Sequence, residues 1–268
     1  MAILTISRQY GSGGRQVGLL VAERLGCELV DKSTLHRDLL ARGEVWARLD
    51  MEVDEVKPDL WERHDWRYHA WLANLESAIW DHAEGARTVI VGRGSNYILA
   101  EAPICLRARV EAPLAMRVER IMAREGIVER ARAEELVIEE DRQRAGYVRS
   151  NYGRGWDEAV AYDVSLDTAA QTIAEVAARL AGLLEEKDRL ATPADRLRLA
   201  GLALAARLKA RIASERDLLL PTLKVRHAPS GIEVEAVIHN PGERDRIERL
   251  AKEICGEHPV RLLLHRRI

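Results

Sequence analysis

The chain opens on Ala2-Ile-Leu-Thr-Ile-Ser7, a β-branched and aliphatic run that ends at the glycine-rich segment Arg8-Gln-Tyr-Gly11-Ser12-Gly13-Gly14-Arg15. An apolar run without polar alternation is the pattern of a strand buried on both faces. After the glycines, Val17, Leu20, Val21, Ala22 and Leu25 recur on one helical face, and Gly26 stops the pattern. This predicts strand, Gly-rich loop, helix. Further buried strands are predicted at 27–30, 88–91, 104–110 and 162–166, each followed by a helical pattern. Strands that alternate with helices predict an α/β domain with a parallel sheet covered on both faces.

Between 53 and 85 lies a helical block with four of the six tryptophans, Trp61, Trp66, Trp71 and Trp80. Their spacing is not a clean 3.6 period, and core packing is the expected use of the rings. A charged helical stretch runs over 129–157, and another helix over about 169–188. Ala191-Thr-Pro193-Ala-Asp195 then interrupts the periodicity as a linker. Beyond it the pattern reads helix (196–214), strand at Leu223 and Val225, alternating strand at Ile232, Val234, Ala236 and Ile238, helix with Ile247, Leu250, Ala251 and Ile254, and strand at Val260, Leu262 and Leu264. This α-β-β-α-β unit buries one sheet face under two helices. The expected division is therefore 1–190 and 196–268.

At 268 residues with 47% hydrophobic and 31% charged side chains, the chain can bury a real core, which excludes disorder as its main state. The cations are 35 Arg and 6 Lys. Residues 1–195 carry 26 basic and 34 acidic side chains, whereas 196–268 carry 15 and 9. That asymmetry suggests that the second module meets anionic lipid or an acidic protein partner; a solvated mixed-charge surface is the alternative. Cys27, Cys105 and Cys255 lie far apart without CxxC spacing and read as reduced core thiols. No apolar run reaches the ~18 residues of a membrane span, and no signal peptide or clear nucleic-acid motif is present, so the cytoplasm is the expected location.

The candidate chemistry starts at the loop. A glycine-rich turn between a first strand and a helix aims backbone N–H groups and a helix N-terminus at one spot, a place for phosphate. The full pattern GxxxxGK[ST] adds a lysine for the outer phosphates and a hydroxyl for magnesium. Here Arg15, Gln16 and Val17 follow the glycines, and Ser12 is the loop's one hydroxyl. Arg15 supplies permanent charge and a bidentate grip, while a magnesium ligand stays unassigned. The eight histidines show no metal spacing.

Three segments in order, Ile6-Ser-Arg-Gln-Tyr-Gly-Ser-Gly-Gly-Arg15, Val91-Gly-Arg-Gly-Ser-Asn-Tyr97 and Asp141-Arg-Gln-Arg-Ala-Gly-Tyr-Val-Arg149, resemble the cytidylate kinase-like family, a branch of the P-loop nucleoside monophosphate kinases. The resemblance covers about residues 1–185. It implies five parallel strands, a helical insert that binds the acceptor nucleotide, an arginine-bearing lid, and ATP and Mg2+ as cofactors. By that resemblance Gly11, Ser12, Gly13, Gly14 and Arg15 hold the ATP phosphates. Asp31 opens the acceptor segment, Arg93 faces the acceptor phosphate, and Arg142, Arg144 and Arg149 bridge donor and acceptor phosphates from the lid. Gly94 stands where the family's Gly-Arg-Asp motif has aspartate. Each residue also has a structural alternative: an N-cap for Asp31, a buried structural pair for Arg93, and helix-surface salt bridges to Glu134, Glu135, Glu139 or Glu140 for Arg142 and Arg144. Arg149 and Arg154 have no acid close by in sequence.

Residues 196–268 resemble the BON domain in element order, which implies contact with membrane or phospholipid; a small regulatory or dimerising domain is the alternative. Three readings follow: an ATP-dependent nucleoside monophosphate kinase for a CMP- or dCMP-like acceptor, a non-catalytic nucleotide-binding regulator, and an adaptor for anionic surfaces acting through the C-terminal module.

Overall fold

A computed structural model describes residues 2–266. Its elements in chain order are β1 (Ile3–Arg8), α1 (Gly14–Leu25), β2 (Glu28–Val30), α2 (Lys32–Arg42), α3 (Glu44–Val53), α4 (Trp66–Gly85), β3 (Thr88–Val91), α5 (Ser95–Ile98), β4 (Cys105–Glu111), α6 (Leu114–Glu125), α7 (Arg130–Tyr152), β5 (Val164–Asp167), α8 (Ile173–Leu190), α9 (Pro193–Ala213), β6 (Lys224–Ala228), β7 (Gly231–Ile238), α10 (Pro241–Cys255) and β8 (Val260–Arg266).

The chain forms two compact units, and neither is one stretch of sequence. The first comprises 1–34, 53–58 and 86–191; the second comprises 35–52, 59–85 and 192–268.

In the first unit five parallel strands run in the order β2-β3-β1-β4-β5. The α/β expectation holds. β1 is the central strand, with Ile6 level with Val91 on one side and Ala108 on the other. Its first five residues are buried, as a strand with neighbours on both sides and helix above requires. Leu4 and Ile6 pack with Val17 and Val21 of α1 and with Val176, Leu180 and Leu184 of α8. The strand order changes direction at β1, so the chain leaves the carboxyl ends of β1 and β3 to opposite sides. The crevice beyond those ends is where α/β sheets bind ligands.

In the second unit β6 and β7 pair antiparallel and β7 and β8 parallel, in the order β6-β7-β8. Ile232, Val234 and Ile238 face Leu208 and Ile212 of α9 and Ile247 and Leu250 of α10. This is the α-β-β-α-β unit read from the sequence. α9 begins earlier than expected, at Pro193, because Thr192 and Asp195 form a reciprocal capping box around it. The break in periodicity over 191–195 is thus a helix start rather than a linker of five residues.

Within the same unit Arg207 bonds Asp81 at 2.6 Å and also Glu84, and Lys209 bonds Glu76 at 2.6 Å, all three acids on α4. On the outward face of the small sheet Arg226 meets Glu235 at 3.0 Å and Arg261 meets Glu233 at 3.6 Å. Counted over 35–52, 59–85 and 192–268, the sequence has 20 basic and 20 acidic side chains. In the count of its own unit the positive surplus of 196–268 is offset by the acids of 35–52 and 59–85.

The block at 53–85 is not helical throughout. α3 ends at Val53 and α4 begins at Trp66. Trp71 and Trp80 are core residues of α4, while Trp61, ahead of the helix, is exposed. The cysteines are free thiols, and burial pushes Cys105 up to about 12. Among the described residues no helix is long and apolar enough to cross a membrane.

Candidate functional site

Two clefts meet at the carboxyl end of β1, both within the first unit. The larger, of about 540 Å³, is lined by Gln9 to Gly11, Gly13 to Gln16, Arg120 and Arg124, among others. The loop leaves β1, passes Gly11 at φ 80° and Gly13 at φ 82°, and enters α1 directly. The first N–H groups of a helix have no intrahelical acceptor, and here they open onto the cleft with the positive end of the helix dipole behind them.

The loop is held from behind. Asp141 of α7 accepts the Tyr10 N–H at 2.8 Å, and Arg117 ties Asp141 (2.6 Å) to the Tyr10 carbonyl (3.2 Å). Thr168 donates to the Ser12 carbonyl at 2.9 Å. Ser12 itself is fully buried, and its hydroxyl donates to the Gln9 carbonyl at 2.8 Å. It braces the turn instead of facing the cleft.

Arg15 lies on the cleft wall with its side chain 67% exposed, and its Nε and Nη2 bond Asp31 Oδ2 at 3.1 and 2.7 Å. The other oxygen of Asp31 caps α2 through the Ser33 N–H at 2.9 Å and the Thr34 N–H at 3.3 Å. Burial pushes the Asp31 carboxyl up, but the Arg15 hydrogen bond and the two N–H donors outweigh it and hold the group below the usual carboxylate range. Both the N-cap role and the charge partner are therefore present in one residue.

The smaller cleft is lined by Ser7, Arg8, Glu55, Gly92, Gly94, Asn96, Arg144, Tyr147, Val148 and Trp156. Its floor is tied to β1: Trp156 Nε1 donates to the Ser7 hydroxyl at 3.0 Å, and the Tyr162 hydroxyl, which donates to the Trp156 carbonyl at 2.5 Å, lies 3.2 Å from the same Ser7 oxygen. Its wall is the turn after β3, where Gly92, Arg93 and Gly94 take φ 82°, 56° and 67° in succession. A Cβ on Gly94 would lie 2.5 Å from the Tyr152 ring, which stacks on Tyr97 at 5.5 Å. A side chain at 94 would have to displace that ring pair. Asn96 is buried, and its Nδ2 has no hydrogen-bond partner among the described residues.

Arg8 and Arg144 line both clefts. Glu55 lies against them, accepting from Arg8 Nη1 at 2.8 Å, Arg144 Nε at 3.1 Å and the Arg93 N–H at 2.5 Å. Burial pushes Glu55 up, yet the charges of Arg8 and Arg144 prevail and hold it far below the ordinary carboxylate range. Arg93 has its side chain 1% exposed, with Nη2 3.4 Å from Asp54.

Of the three arginines assigned to the lid, the structure brings only Arg144 to the clefts. α7 is one continuous helix, and Arg144 shares its inner face with Asp141 and Val148, at offsets of three and four. Arg142 points outward, 67% exposed and bonded to Glu139 at 2.7 Å. Arg149, seven residues on, is exposed on that same outward side, and neither it nor the exposed Arg154 has an ion pair among the described residues. Arg8, Glu55, Arg120 and Arg124 went unrecognised in the sequence. Arg117, Arg120 and Arg124 stand at helical spacing on α6, a signal that was available; Arg120 bonds Thr168 at 2.8 Å and Arg124 lies 4.9 Å over the Tyr10 ring.

The loop and its cations fit the phosphates of ATP. For magnesium, Asp31, Glu55 and Asp141 are engaged by arginines and Ser12 is turned inward, and no group of three His, Cys, Asp or Glu side chains that could hold a metal occurs among the described residues. Gln16 offers one amide oxygen on the cleft.

The chain is similar to a cytidylate kinase from Methanosarcina barkeri (strain Fusaro / DSM 804), 25% identical over 165 residues, which are 62% of this chain and 86% of that protein. An uncharacterized protein from Eubacterium ventriosum ATCC 27560 shares the fold with a TM-score of 0.55 at 21% identity, over 69% of this chain and 99% of that one. A shikimate kinase from Acinetobacter baumannii, with shikimate bound, matches at a TM-score of 0.40 and 12% identity, over 69% of this chain and 94% of that one. The model of the cytidylate kinase-like family matches residues 3–170, and the chain belongs to that family.

Proposed function

We propose that the first unit transfers the γ-phosphoryl group of ATP to the phosphate of a nucleoside monophosphate of the CMP or dCMP type. The observation that carries the reading is that Arg8 and Arg144 line both clefts at once. A transferring phosphoryl group spends its transition state between donor and acceptor with charge spread over its equatorial oxygens, and cations fixed at that point stabilise it. Membership of the family and the relative from Methanosarcina barkeri support the choice of acceptor.

In this reading the loop N–H groups, Arg15 and Arg120 hold the donor phosphates, and Arg8 and Arg144 guide the group in flight. An oxygen of the acceptor phosphate forms the new bond to the γ-phosphorus while the bond to the β–γ bridging oxygen breaks, which leaves ADP. The acceptor arrives as an anion, so no side chain needs to take a proton. A coupled assay of purified full-length protein with ATP, magnesium and CMP, dCMP, UMP or AMP tests it; absence of turnover with every acceptor at high enzyme concentration overturns it.

A non-catalytic nucleotide-binding role is favoured by one observation, that Glu55 neutralises the two shared arginines. ATP binding without turnover is its signature. The reading of 196–268 as a BON-like module that contacts anionic lipid has the element order in its favour and the neutral charge of its unit against it.

A further inference from the structure

We propose that Arg8, Arg144 and the Arg93 N–H form an oxyanion subsite whose resident occupant is the carboxylate of Glu55, and that the acceptor's phosphate monoester binds by displacing it. The inference rests on the kinase reading for the identity of the displacing group; the subsite itself stands on geometry alone.

The carboxylate meets a donor on each accessible side: Arg8 Nη1 at 2.8 Å, Arg144 Nε at 3.1 Å and the Arg93 N–H at 2.5 Å. Successive left-handed residues turn backbone N–H groups toward a common concavity that accepts anions, and 92–94 is such a run. Position 92 must be glycine for the approach to occur, since a Cβ there would fall 2.2 Å from Arg8 Nη1 and 2.5 Å from Glu55 Oε1. Arg93 holds φ 56° without being glycine, a strained conformation that persists only where its surroundings require it. The turn is therefore shaped around an anion.

Glu55 arrives on a segment suited to leaving. Residues 53–58 follow the end of α3, and the stretch up to α4 holds no α-helix. Asp54, beside Glu55, is at φ 40°. Besides Glu55, the segment carries the exposed Lys32–Asp54 pair at 2.6 Å, the approach of Arg93 to Asp54 at 3.4 Å and the bond from the Lys57 N–H to Gln143 Oε1 at 3.1 Å, with Val53 and Pro58 buried at its ends and Lys57 lying against Gly146. The Lys32–Asp54 pair, exposed on both sides, holds weakly. By contrast, stripping the anion from half-buried Arg8 and Arg144 is strongly unfavourable unless another anion takes its place. Glu55 is thus exchanged rather than simply released, which keeps the shared arginines compensated until an acceptor is bound.

The test uses the full chain and calorimetric titration with inorganic phosphate and with CMP, comparing wild type, Glu55→Gln and Glu55→Asp. Gln keeps one acceptor oxygen and removes the charge; Asp keeps the charge on a shorter arm. Glu55→Gln is expected to bind both probes at least tenfold more tightly than wild type, and Glu55→Asp to change in the same direction by less. Equal or weaker binding of phosphate by Glu55→Gln overturns the proposal. If Glu55→Gln melts early without anion, phosphate is expected to restore its melting temperature in a concentration-dependent way; a destabilised variant that phosphate does not rescue also overturns it. Wild-type turnover with unchanged phosphate affinity in Glu55→Gln removes the subsite and leaves the kinase reading. Tighter phosphate binding without turnover in any variant does the reverse.

Discussion

Arg15 Nη2 lies 2.7 Å from Oδ2 of Asp31, so the loop's own cation is joined to the residue that caps α2. The pair ties the phosphate loop to the segment after β2 and gives Arg15 a fixed rest position at the cleft edge.

Asparagine caps a helix about as well as aspartate, so Asp31→Asn removes the charge and leaves the cap, whereas Asp31→Ala removes both. The folded carboxyl titrates below its unfolded value of about 4, so ionised Asp31 stabilises the fold above that pH and its contribution disappears as pH falls through the folded value. Two-thirds exposure of Arg15 keeps the charge contribution to about 0.5–1 kcal/mol, with about 1 kcal/mol more for the lost cap in the Ala variant. Denaturant melts from pH 7 to pH 3 check this: the gap between wild type and Asp31→Asn should close below pH 4. A gap that stays constant with pH contradicts it.

Arg144→Ala should lower kcat by at least ~10², the scale for removing one preorganised cation or donor from a transition state. Arg144→Lys should not restore it, because an ammonium cannot reproduce a planar fork that meets Glu55 while lining two clefts. Arg142→Ala and Arg149→Ala, on the outward side of α7, should stay within about twofold of wild type. Steady-state kinetics of the four variants decide the matter, and equal losses at 142 and 144 would refute the assignment.

The contrast among those three arginines shows what was legible in the chain. β1 and its loop were readable because an apolar run and a glycine turn are local signals. Helical spacing also separates Arg144 from Arg142 and Arg149, since residues seven apart share a face and one between them at offset two does not, but the family pattern alone does not draw that distinction. Pro58 disfavours helix at Lys57, within the non-helical stretch 54–58 that brings Glu55 to Arg8. What no local signal gives is the destination of that stretch. The partners of Glu55 stand 38, 47 and 89 residues away, and the acids that neutralise Arg207 more than a hundred. Charge counted along a sequence does not know which helix its partner lies on.

Gly94→Ala should cost about 1 kcal/mol for a left-handed alanine and more for the contact with the Tyr152 ring, whose Cε2 stands 2.5 Å from where a methyl group at 94 would sit. Replacing the ring with Tyr152→Ala should relieve the steric part. A double-mutant cycle is therefore expected to give a favourable coupling of about 1 kcal/mol between the two substitutions. Additivity within about 0.3–0.5 kcal/mol would mean the ring does not set the identity of residue 94.

Arg207→Ala breaks two pairs to α4, with Asp81 and Glu84, in a side chain that is 39% exposed. Solvent screening limits each pair, so the expected loss is about 1 kcal/mol in total, shrinking as salt rises from 0.05 to about 1 M. Asp81→Ala should overlap with it, since each substitution removes the same bond, although Asp81 also serves Arg42 at 2.5 Å. Denaturant melts at the two salt concentrations test the energetics. The same pairing predicts that the full chain sediments with anionic vesicles no better than with neutral ones, and that Arg207→Ala does not change this. Strong, salt-sensitive sedimentation of the wild type with anionic vesicles would show that the cations of 196–268 remain available to a surface despite their acidic partners.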